Sequence, residues 1–463
     1  MSTKPSKKSA AKASHKTSPS PIRTGSQHSS GSYTKSDTVP TPPVLTKPRI
    51  ISASTPLEDQ PYWHGSLPRD DVETMLRENG DFIVRTSRKN DKDHIVISVF
   101  WDRLRHFEIM ISDEGSFYLG EGLFFPSVAA LVLYYWGQKK PISKSPKVSL
   151  KTPIQREPWE LSHSAVVLER KIGTGNFGDV FAGYIVDQEK IPCAIKQLKC
   201  EMTEKERRTF LREARLMRGY HHPNIVRFYG VCIQKHPFRI IMELVSGGSL
   251  ESYLKSKAGA TSTSEKLKYA KHATRGMAYL ESQGCIHRDL AARNCLLTEK
   301  HRVLKITDFG MSREGTDGNY LVAGPSQIPV KWTAPEAMNE GIYSHKSDVW
   351  SYGILLWEIF SDGAEPYPGF SNYHTRLQVD TGYRMPAPDS MPKDVCKIMN
   401  DCWQQKPADR PSFKVIRKRL REYTKQNDTN TDERSSSGTP DSMLKTTTPK
   451  SAKKLESIKE NSS

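Results

Sequence analysis

The chain has 463 residues, a formal net charge of +17, 36% hydrophobic residues and 26% charged residues. At roughly 150 residues per domain, this length predicts two or three domains. The seven cysteines include no CxxC pair, so neither a zinc site nor a redox motif is expected. No apolar run approaches the roughly 20 residues of a transmembrane helix, and the Lys-rich start excludes a secretory signal. The composition therefore predicts a cytoplasmic protein.

Both ends of the chain are predicted to be disordered. Residues 1–56 and 426–463 are polar and poor in aromatic residues, so they cannot bury enough apolar area to offset the entropy of ordering. In the first 50 residues, nine Lys and Arg residues face a single acid, Asp37. We expect a solvated basic tail, with a nuclear role or peripheral contact at an acidic plasma-membrane surface as the alternatives. The tail lacks interleaved aromatic residues, so no specific nucleic-acid partner is expected.

A small mixed domain is predicted over residues 62–150. A helix begins at Pro68, and the runs GDFIVRTS, HIVISVFW and RHFEIMIS predict an antiparallel meander. A second helix is expected from Ser127 to Trp136. The basic, Pro-containing stretch from Lys139 to Pro158 indicates a linker, which we place at residues 151–164.

Arg85 interrupts an apolar strand of this domain, where an unpaired guanidinium would be costly. Either an internal carboxylate pairs with it, or it binds an anion that enters the domain. Ser87 lies on the same face of the strand, and Arg69 and His106 could complete a basic pocket. With WHG, FIVRTS and RHF, the domain resembles a Src-homology-2 (SH2) domain. The resemblance implies phosphotyrosine binding by these four residues.

A Gly-rich turn follows in VVLERKIGTGNFGDVFAGY, where three glycines flank the aromatic Phe177. Glycines let backbone amides close over phosphates. A Rossmann turn shows the same spacing but opens a helix, whereas here Val180 and Phe181 begin a returning strand. In the next strand Lys196 is either a snorkelling surface residue or a phosphate-binding lysine.

The next helix begins with a capping box formed by Thr203 and Glu206. Glu213 lies toward its apolar face and needs a cation. Lys196 is the candidate, and an Arg one turn away on the same helix is the alternative. A second long helix, expected to be capped by Ser264, leads to the sequence HRDLAARN.

The loop HRDLAARN holds Asp289 and, five residues on, Asn294, and LKITDFG places Asp308 at the end of a later strand. This spacing resembles the catalytic loop and metal-binding carboxylate of protein kinases. The resemblance implies an α+β fold with a bilobal kinase domain over residues 165–425, and use of ATP with Mg²⁺ or Mn²⁺. It implies catalytic roles for Asp289, Arg293, Lys196 and Glu213 and metal binding by Asn294 and Asp308. The implied ATP-binding residues are Gly173, Thr174, Gly175, Asn176, Phe177, Gly178, Val180, Ala194, Lys196, Met242, Glu243 and Val245.

Two sequence features distinguish tyrosine kinases within that superfamily. The catalytic loop carries AAR in place of a lysine, and PVKWTAPE supplies a bulky platform that includes Trp332. Tyr320, in the predicted activation segment, is the expected autophosphorylation site, where its phosphate would bind local basic residues such as Arg288.

The segments VISVFWDRLRHF, WELSH, IGTGNFGDVF, FLREARLM and DFGMSRE resemble the Fes/Fer family of non-receptor tyrosine kinases. That family usually has an F-BAR region before the SH2 domain, and only the basic tail precedes it here, so curvature sensing is not expected. The implied partners are tyrosine-containing protein substrates and phosphotyrosine proteins. The alternative, a scaffold with an inert kinase fold, predicts a missing catalytic residue, and none is missing.

Overall fold

The computed structural model describes residues 52–436 apart from residues 90–91, 121, 176–177, 187–188, 200–202, 301, 315–318 and 322–327. The predictions for residues 1–51 and 437–463 lie outside the described residues. The predictions for Asn176 and Phe177 also lie outside the described residues.

The N-terminal domain is built on a four-stranded sheet with two helices, of which the sequence predicted three strands and both helices. Its elements are α1 (Arg69–Met75), β1 (Asp81–Lys89), β2 (Lys92–Trp101), β3 (Arg103–Glu108), β4 (Met110–Ile111), β5 (Phe117–Tyr118), α2 (Val128–Gly137), β6 (Pro141–Lys144), β7 (Lys147–Ser149) and β8 (Thr152–Pro153). The sheet order is β3-β2-β1-β8, and the first three strands form the predicted antiparallel meander. Ser127 caps α2 by accepting a hydrogen bond from the backbone of Ala130.

The stretch expected to be a linker contributes strands instead. Residues 141–149 form the β6–β7 hairpin, and β8 pairs in parallel with the start of β1. Val148 and Leu150 are buried in the core of this domain. The Lys and Pro residues of this stretch did not indicate strands. Edge strands nevertheless tolerate Pro and exposed charge.

The C-terminal domain begins with a five-stranded sheet and one helix. These elements are β9 (Val166–Gly175), β10 (Gly178–Val186), β11 (Lys190–Leu198), α3 (Glu204–Arg218), β12 (Phe228–Cys232) and β13 (Arg239–Glu243). The sheet order is β12-β13-β11-β10-β9. The capping box of α3 is present as predicted, with Thr203 and Glu206 exchanging hydrogen bonds.

The rest of this domain is a larger, mainly helical lobe. Its elements are α4 (Leu250–Ser256), α5 (Thr263–Ser282), β14 (Cys285–Ile286), β15 (Cys295–Leu297), β16 (Leu304–Ile306), β17 (Arg313–Glu314), β18 (Asn319–Leu321), α6 (Pro335–Asn339), β19 (Ile342–Ser344), α7 (His345–Phe360), α8 (Asn372–Asp380), α9 (Lys393–Cys402) and α10 (Phe413–Ser436). Ser262, rather than Ser264, caps α5.

Helix α7 is the buried axis of this lobe, since every residue from Ser347 to Phe360 is buried. Helix α10 continues beyond residue 426, where the sequence predicted a disordered tail, because no Gly or Pro interrupts it before Ser436. Within the part of the chain that the structure describes, no helix is long and apolar enough to cross a membrane.

Candidate active site

Lys196 and Glu213 form a buried ion pair between β11 and α3. The Lys196 Nζ lies 2.8 Å from both carboxylate oxygens of Glu213 and 3.4 Å from Oδ1 of Asp308. Burial opposes a charged lysine, but the two carboxylates outweigh it and raise the pKa of Lys196. The lysine is therefore a fixed positive charge at the cleft, and α3 is held against the sheet by the partner predicted from the sequence.

The Gly-rich turn joins β9 to β10, with Gly175 opposite Gly178 and Thr174 opposite Asp179. A Cβ added to Gly178 would meet the Gln197 carbonyl oxygen at 1.9 Å, so packing against β11 requires this glycine. A Cβ on Gly173 would meet nothing within 4 Å. Packing of the fold therefore does not require a glycine at position 173. Phosphates bound under this exposed hairpin would require one, because a glycine lets the backbone amides approach them closely.

The nucleotide-binding residues predicted from β10, β11 and β13 are adjacent in the sheet. Val180 pairs with Lys196, and Ala194 pairs with Met242. Ala194, Met242 and Val245 are at most 9% exposed, so they form an apolar surface at the cleft. Glu243 donates its backbone N–H to Arg227 at 2.8 Å, and its side chain pairs with Lys305 at 2.9 Å.

Asp289 lies at the centre of the catalytic loop and has two side-chain partners. Its carboxylate pairs with Arg293 and accepts a hydrogen bond from Asn294 Nδ2 at 2.8 Å. Burial raises the pKa of Asp289 to about 6, although Arg293 and Asn294 act in the opposite direction. A carboxylate with this pKa can accept a hydroxyl proton near neutral pH.

The catalytic loop is anchored by a residue of α7 that was not predicted from the sequence. Asp348 of α7 accepts the backbone N–H groups of His287 at 2.8 Å and Arg288 at 2.9 Å. Burial raises the pKa of Asp348 to about 7, and the two hydrogen bonds lower it. Arg288 has a left-handed backbone with a φ of 70°. Such strain persists where the surroundings fix it, as these hydrogen bonds do.

Asn294 and Asp308 can supply oxygen ligands to a divalent cation. Asn294 donates two hydrogen bonds from Nδ2 to Asp289, which leaves its side-chain carbonyl oxygen for another partner. Burial opposes ionisation of Asp308, but Lys196 outweighs it and lowers the pKa of Asp308. No cluster of three His, Cys, Asp or Glu ligands occurs among the described residues. Mg²⁺ fits this pair because it is usually held by one or two carboxylates together with substrate phosphates.

The end of the activation segment packs against the catalytic loop. The Arg293 guanidinium lies 4.2 Å from the centroid of the Trp332 ring. Arg410 pairs with both oxygens of Glu336 at 2.7 and 2.8 Å. The backbone of Tyr320 pairs with Tyr343 between β18 and β19.

Arg85 is buried in β1 without a carboxylate partner among the described residues. Its Nε donates to Ser98 Oγ at 3.1 Å, and a terminal nitrogen donates to the Leu67 carbonyl at 3.3 Å. Burial and the nearby Arg69 lower the pKa of Arg85. The internal-carboxylate alternative is therefore wrong, and the anion-binding interpretation fits.

Ser98 joins Arg85 to His106, and the sequence analysis missed it. The Ser98 hydroxyl lies 2.9 Å from His106 Nδ1, while His106 Nε2 is buried without a hydrogen-bond partner in the described structure. Burial and the charges of Arg85 and Arg69 lower the pKa of His106 to about 4. Arg69 is 63% exposed at the rim. Ser98 is the one polar residue within an apolar run of β2, which is the signal that could have identified it.

The SH2-like domain contacts the helix that carries Glu213. Arg215 of α3 lies 3.3 Å from Asp70 and 2.9 Å from Asp71 of α1. Arg207 of α3 pairs with Asp93 of β2 at 3.3 Å. The apolar residues Leu67, Val72 and Leu76 of the first domain belong to the same hydrophobic cluster as Phe210 and Ala214 of α3.

Comparisons with known proteins agree with this arrangement. Residues 166–420 match the family of protein tyrosine and serine/threonine kinases, and residues 62–135 match the SH2 domain. The chain is 45% identical over 401 residues to the tyrosine-protein kinase transforming protein Fps of avian sarcoma virus (strain PRCII), covering 86% of this chain and 73% of that protein. It is 46% identical to human tyrosine-protein kinase Fer, covering 80% of this chain and 45% of Fer. It is 40% identical to Fer-related kinase 1 of Caenorhabditis elegans, covering 96% of that protein.

Proposed function

Since the chain belongs to the Fps/Fer family of tyrosine-protein kinases and carries an SH2 and a kinase domain, we propose that it transfers the γ-phosphoryl group of ATP to protein tyrosines. Asp289 orients the tyrosine hydroxyl and accepts its proton. Lys196, fixed by Glu213, holds the phosphates of ATP. Arg293 offsets negative charge near the transferred group.

The arrangement of the charged and polar side chains across the cleft supports this proposal best. Lys196 is clamped by Glu213 and reaches Asp308, while Asp289, with its pKa raised to about 6, is joined to Asn294. One side of the cleft suits a nucleotide phosphate, and the other suits a hydroxyl group. An inert scaffold would not need this complete set.

Asn294 and Asp308 would hold Mg²⁺, or Mn²⁺ in its place. When bound, the ion neutralises charge on the ATP phosphates. Both residues supply oxygen ligands, as hard divalent cations prefer. Lys196 keeps Asp308 ionised, and Asp289 holds the amide of Asn294 in one orientation.

The SH2 domain is the proposed receptor for phosphotyrosine proteins. Arg85 offers a buried guanidinium with unused capacity, and His106 offers a buried ring nitrogen. Ser87 and Arg69 would complete the contacts to the phosphate. Phosphotyrosine binding would bring the kinase domain to proteins that are already phosphorylated.

Tyr320 is the proposed autophosphorylation site. Its backbone partner is Tyr343, and the guanidinium of Arg288 lies 3.9 Å from the Tyr343 ring centroid. We propose that a phosphate on Tyr320 binds basic residues of this part of the chain such as Arg288. We propose that the enzyme acts in the cytoplasm, with contact between the basic tail and an anionic plasma membrane as a further element of targeting.

The activity is tested with purified protein, Mg²⁺ and ATP. Two peptides that differ only in a central tyrosine or serine serve as matched substrates. We expect transfer to the tyrosine peptide alone, abolished when the divalent cation is chelated. Equal transfer to both peptides would contradict tyrosine specificity, and no transfer to either peptide or to the protein itself would contradict the proposed activity.

A further inference from the structure

The chain that follows α3 carries a tyrosine whose ring contacts the segment of Asp308. Helix α3 ends at Arg218, and Tyr220 is 4% exposed. The centroid of the Tyr220 ring lies 5.5 Å from that of Phe309, a fully buried residue that directly follows Asp308. A second ring, that of Tyr279 on α5, meets Tyr220 edge-on with centroids 6.3 Å apart. Both distances are typical of favourable aromatic pairs, so Tyr220 links α5 to the Asp308 segment.

Tyr279 also fixes the backbone on both sides of Tyr220. Its Oη accepts the backbone N–H of His221 at 2.9 Å and donates to the Gly219 carbonyl at 3.5 Å. Its ring stacks on His222, with the two centroids 5.0 Å apart. The end of α3 is therefore held by a helix of the larger lobe, although α3 itself packs against the five-stranded sheet.

The chain beyond Tyr220 then contacts the strand that leads to Asp308. Asn224 donates its side-chain N–H to the Leu304 carbonyl at 2.8 Å, and its own carbonyl accepts the N–H of Ile306 at 2.9 Å. Strand β16 ends at Ile306, two residues before Asp308. Backbone hydrogen bonds and aromatic contacts thus join the end of α3 to the segment that carries Asp308.

Asp308 has a backbone conformation that requires such support. Its φ is 63°, and a residue other than glycine keeps this left-handed conformation where its surroundings fix it. Its carboxylate reaches Lys196 at 3.4 Å. Two rings contact the next residue, Phe309: that of His287 at 5.2 Å, from the catalytic loop, and that of Tyr220, from the end of α3.

We propose that Tyr220 is a positioning residue for Asp308. Its ring, in contact with Tyr279 and Phe309, keeps Phe309 in place and thereby holds the Asp308 carboxylate at Lys196, where it can bind a divalent cation. This role rests on the proposed kinase activity and deepens it, because it names a residue that determines where a metal ligand lies. Tyr220 acts through Phe309 and not by contact with the ion.

The substitution Tyr220→Leu tests the proposal because leucine keeps the site apolar and removes the ring. Hydrogen exchange of the full chain, measured without ATP or metal, reports how often residues 306–313 open. We expect exchange in this segment to become about two- to tenfold faster, which corresponds to the loss of an aromatic pair. Tyr220→Phe keeps the ring and should exchange at the parent rate.

Tyr383→Leu is the matched control. It makes the same chemical change in the larger lobe, where the Tyr383 ring contacts those of Tyr367 and Phe370 at 6.4 and 5.6 Å. Exchange in residues 306–313 should remain at the parent rate in this variant, because the segment opens locally with the Tyr220 contact and not with the whole lobe.

Transfer to a tyrosine peptide gives a second measurement. In Tyr220→Leu the Mg²⁺ concentration for half-maximal rate should rise at least about twofold, because Asp308 spends less time in the position that binds the ion. The KM for the peptide should stay unchanged. A role in general stability alone would lower the amount of active protein without this selective change.

Unchanged exchange of residues 306–313 in Tyr220→Leu, or equal acceleration by Tyr383→Leu, would overturn the proposal. If Tyr220→Leu does not fold, Tyr279→Phe removes only the hydroxyl that holds His221 and Gly219. It should still speed exchange of the segment, and an unchanged rate would overturn the proposal. The exchange measurement needs no activity, so failure of the proposed function is seen separately, as a parent protein that transfers no phosphoryl group to tyrosine.

Discussion

If Arg85 binds phosphate as proposed, this single residue lowers the stability of the free domain in favour of binding. Arg85 is 6% exposed, and its guanidinium has a neutral hydroxyl and a carbonyl oxygen as hydrogen-bond partners, with no carboxylate partner among the described residues. A buried charge without a counter-ion costs free energy, and an apolar residue of similar volume is often neutral or stabilising at such a site. The incoming phosphate would supply the missing charge.

Replacement of Arg85 by Met should therefore separate stability from binding. We expect the free energy of unfolding to stay equal or rise by about 1 kcal/mol, because an uncompensated charge is removed. Binding of a phosphotyrosine peptide should be lost, since the bidentate cation is absent. Chemical denaturation and peptide titration measure the two effects.

Arg103→Met on the exposed surface of β3 is the matched control for Arg85→Met and should change neither quantity. Retained phosphotyrosine binding by Arg85→Met would contradict the assignment of the pocket. A marked loss of stability would show instead that the guanidinium is structural.

At the scale of elements, α3 carries both a catalytic-site residue and the contacts to the SH2 domain. Glu213 faces Lys196, whereas Arg215 reaches Asp71 of α1. Since both side chains belong to one helix, the position of α1 bears on the Lys196–Glu213 pair. The domain contact should therefore favour the arrangement in which Lys196 is held for ATP.

Charge reversal at this contact tests the coupling. Arg215→Glu should lower kcat/KM a few-fold, because a partly exposed ion pair contributes about 0.2–1 kcal/mol and repulsion adds to its loss. Combining it with Asp71→Arg should restore activity. Lys205→Glu, an exposed change on the same helix, serves as the control. Equal activity of all variants would mean that the contact does not act on the catalytic site.

The sequence predicted those parts of the fold and site in which local pattern carries the information. The amphipathic helices, the meander and the Lys196–Glu213 pair were predicted because periodicity and a lone buried charge are visible along the chain. The strands of residues 141–153 were missed because Pro and Lys concealed them. Asp348 was missed because it contacts a loop some sixty residues earlier in the chain, and only the tertiary fold brings the two together.

At the scale of the whole molecule, a buried pair joins the SH2 domain to the segment that enters the kinase domain. His64 Nδ1 lies 3.0 Å from both carboxylate oxygens of Glu160, and neither side chain is exposed. Trp159, the neighbour of Glu160, lies beneath the guanidinium of Arg218 on α3, 4.6 Å from the ring centroid. Burial opposes a charged His64, but Glu160 outweighs it and raises the pKa of His64.

This pair should make the stability of the two-domain protein depend on pH. A histidine whose pKa is raised on folding stabilises most fully below its unfolded pKa of about 6.5, and the contribution is lost as pH rises through the folded value. We expect Glu160→Gln to lower the free energy of unfolding more at about pH 6 than at about pH 9. A pH-independent difference would contradict a charged pair. Glu114→Gln, at an exposed position of the SH2 domain away from His64, is the control.

Asp289 is the proposed base in phosphoryl transfer to tyrosine. The most direct measurement is the single-turnover rate of transfer from ATP to a tyrosine peptide for the parent protein and for Asp289→Asn, with ATP affinity measured in parallel. We expect Asp289→Asn to lower this rate by at least about a hundredfold with ATP affinity retained, because only the proton acceptor is lost. A rate close to that of the parent protein, with ATP bound equally well, would contradict it.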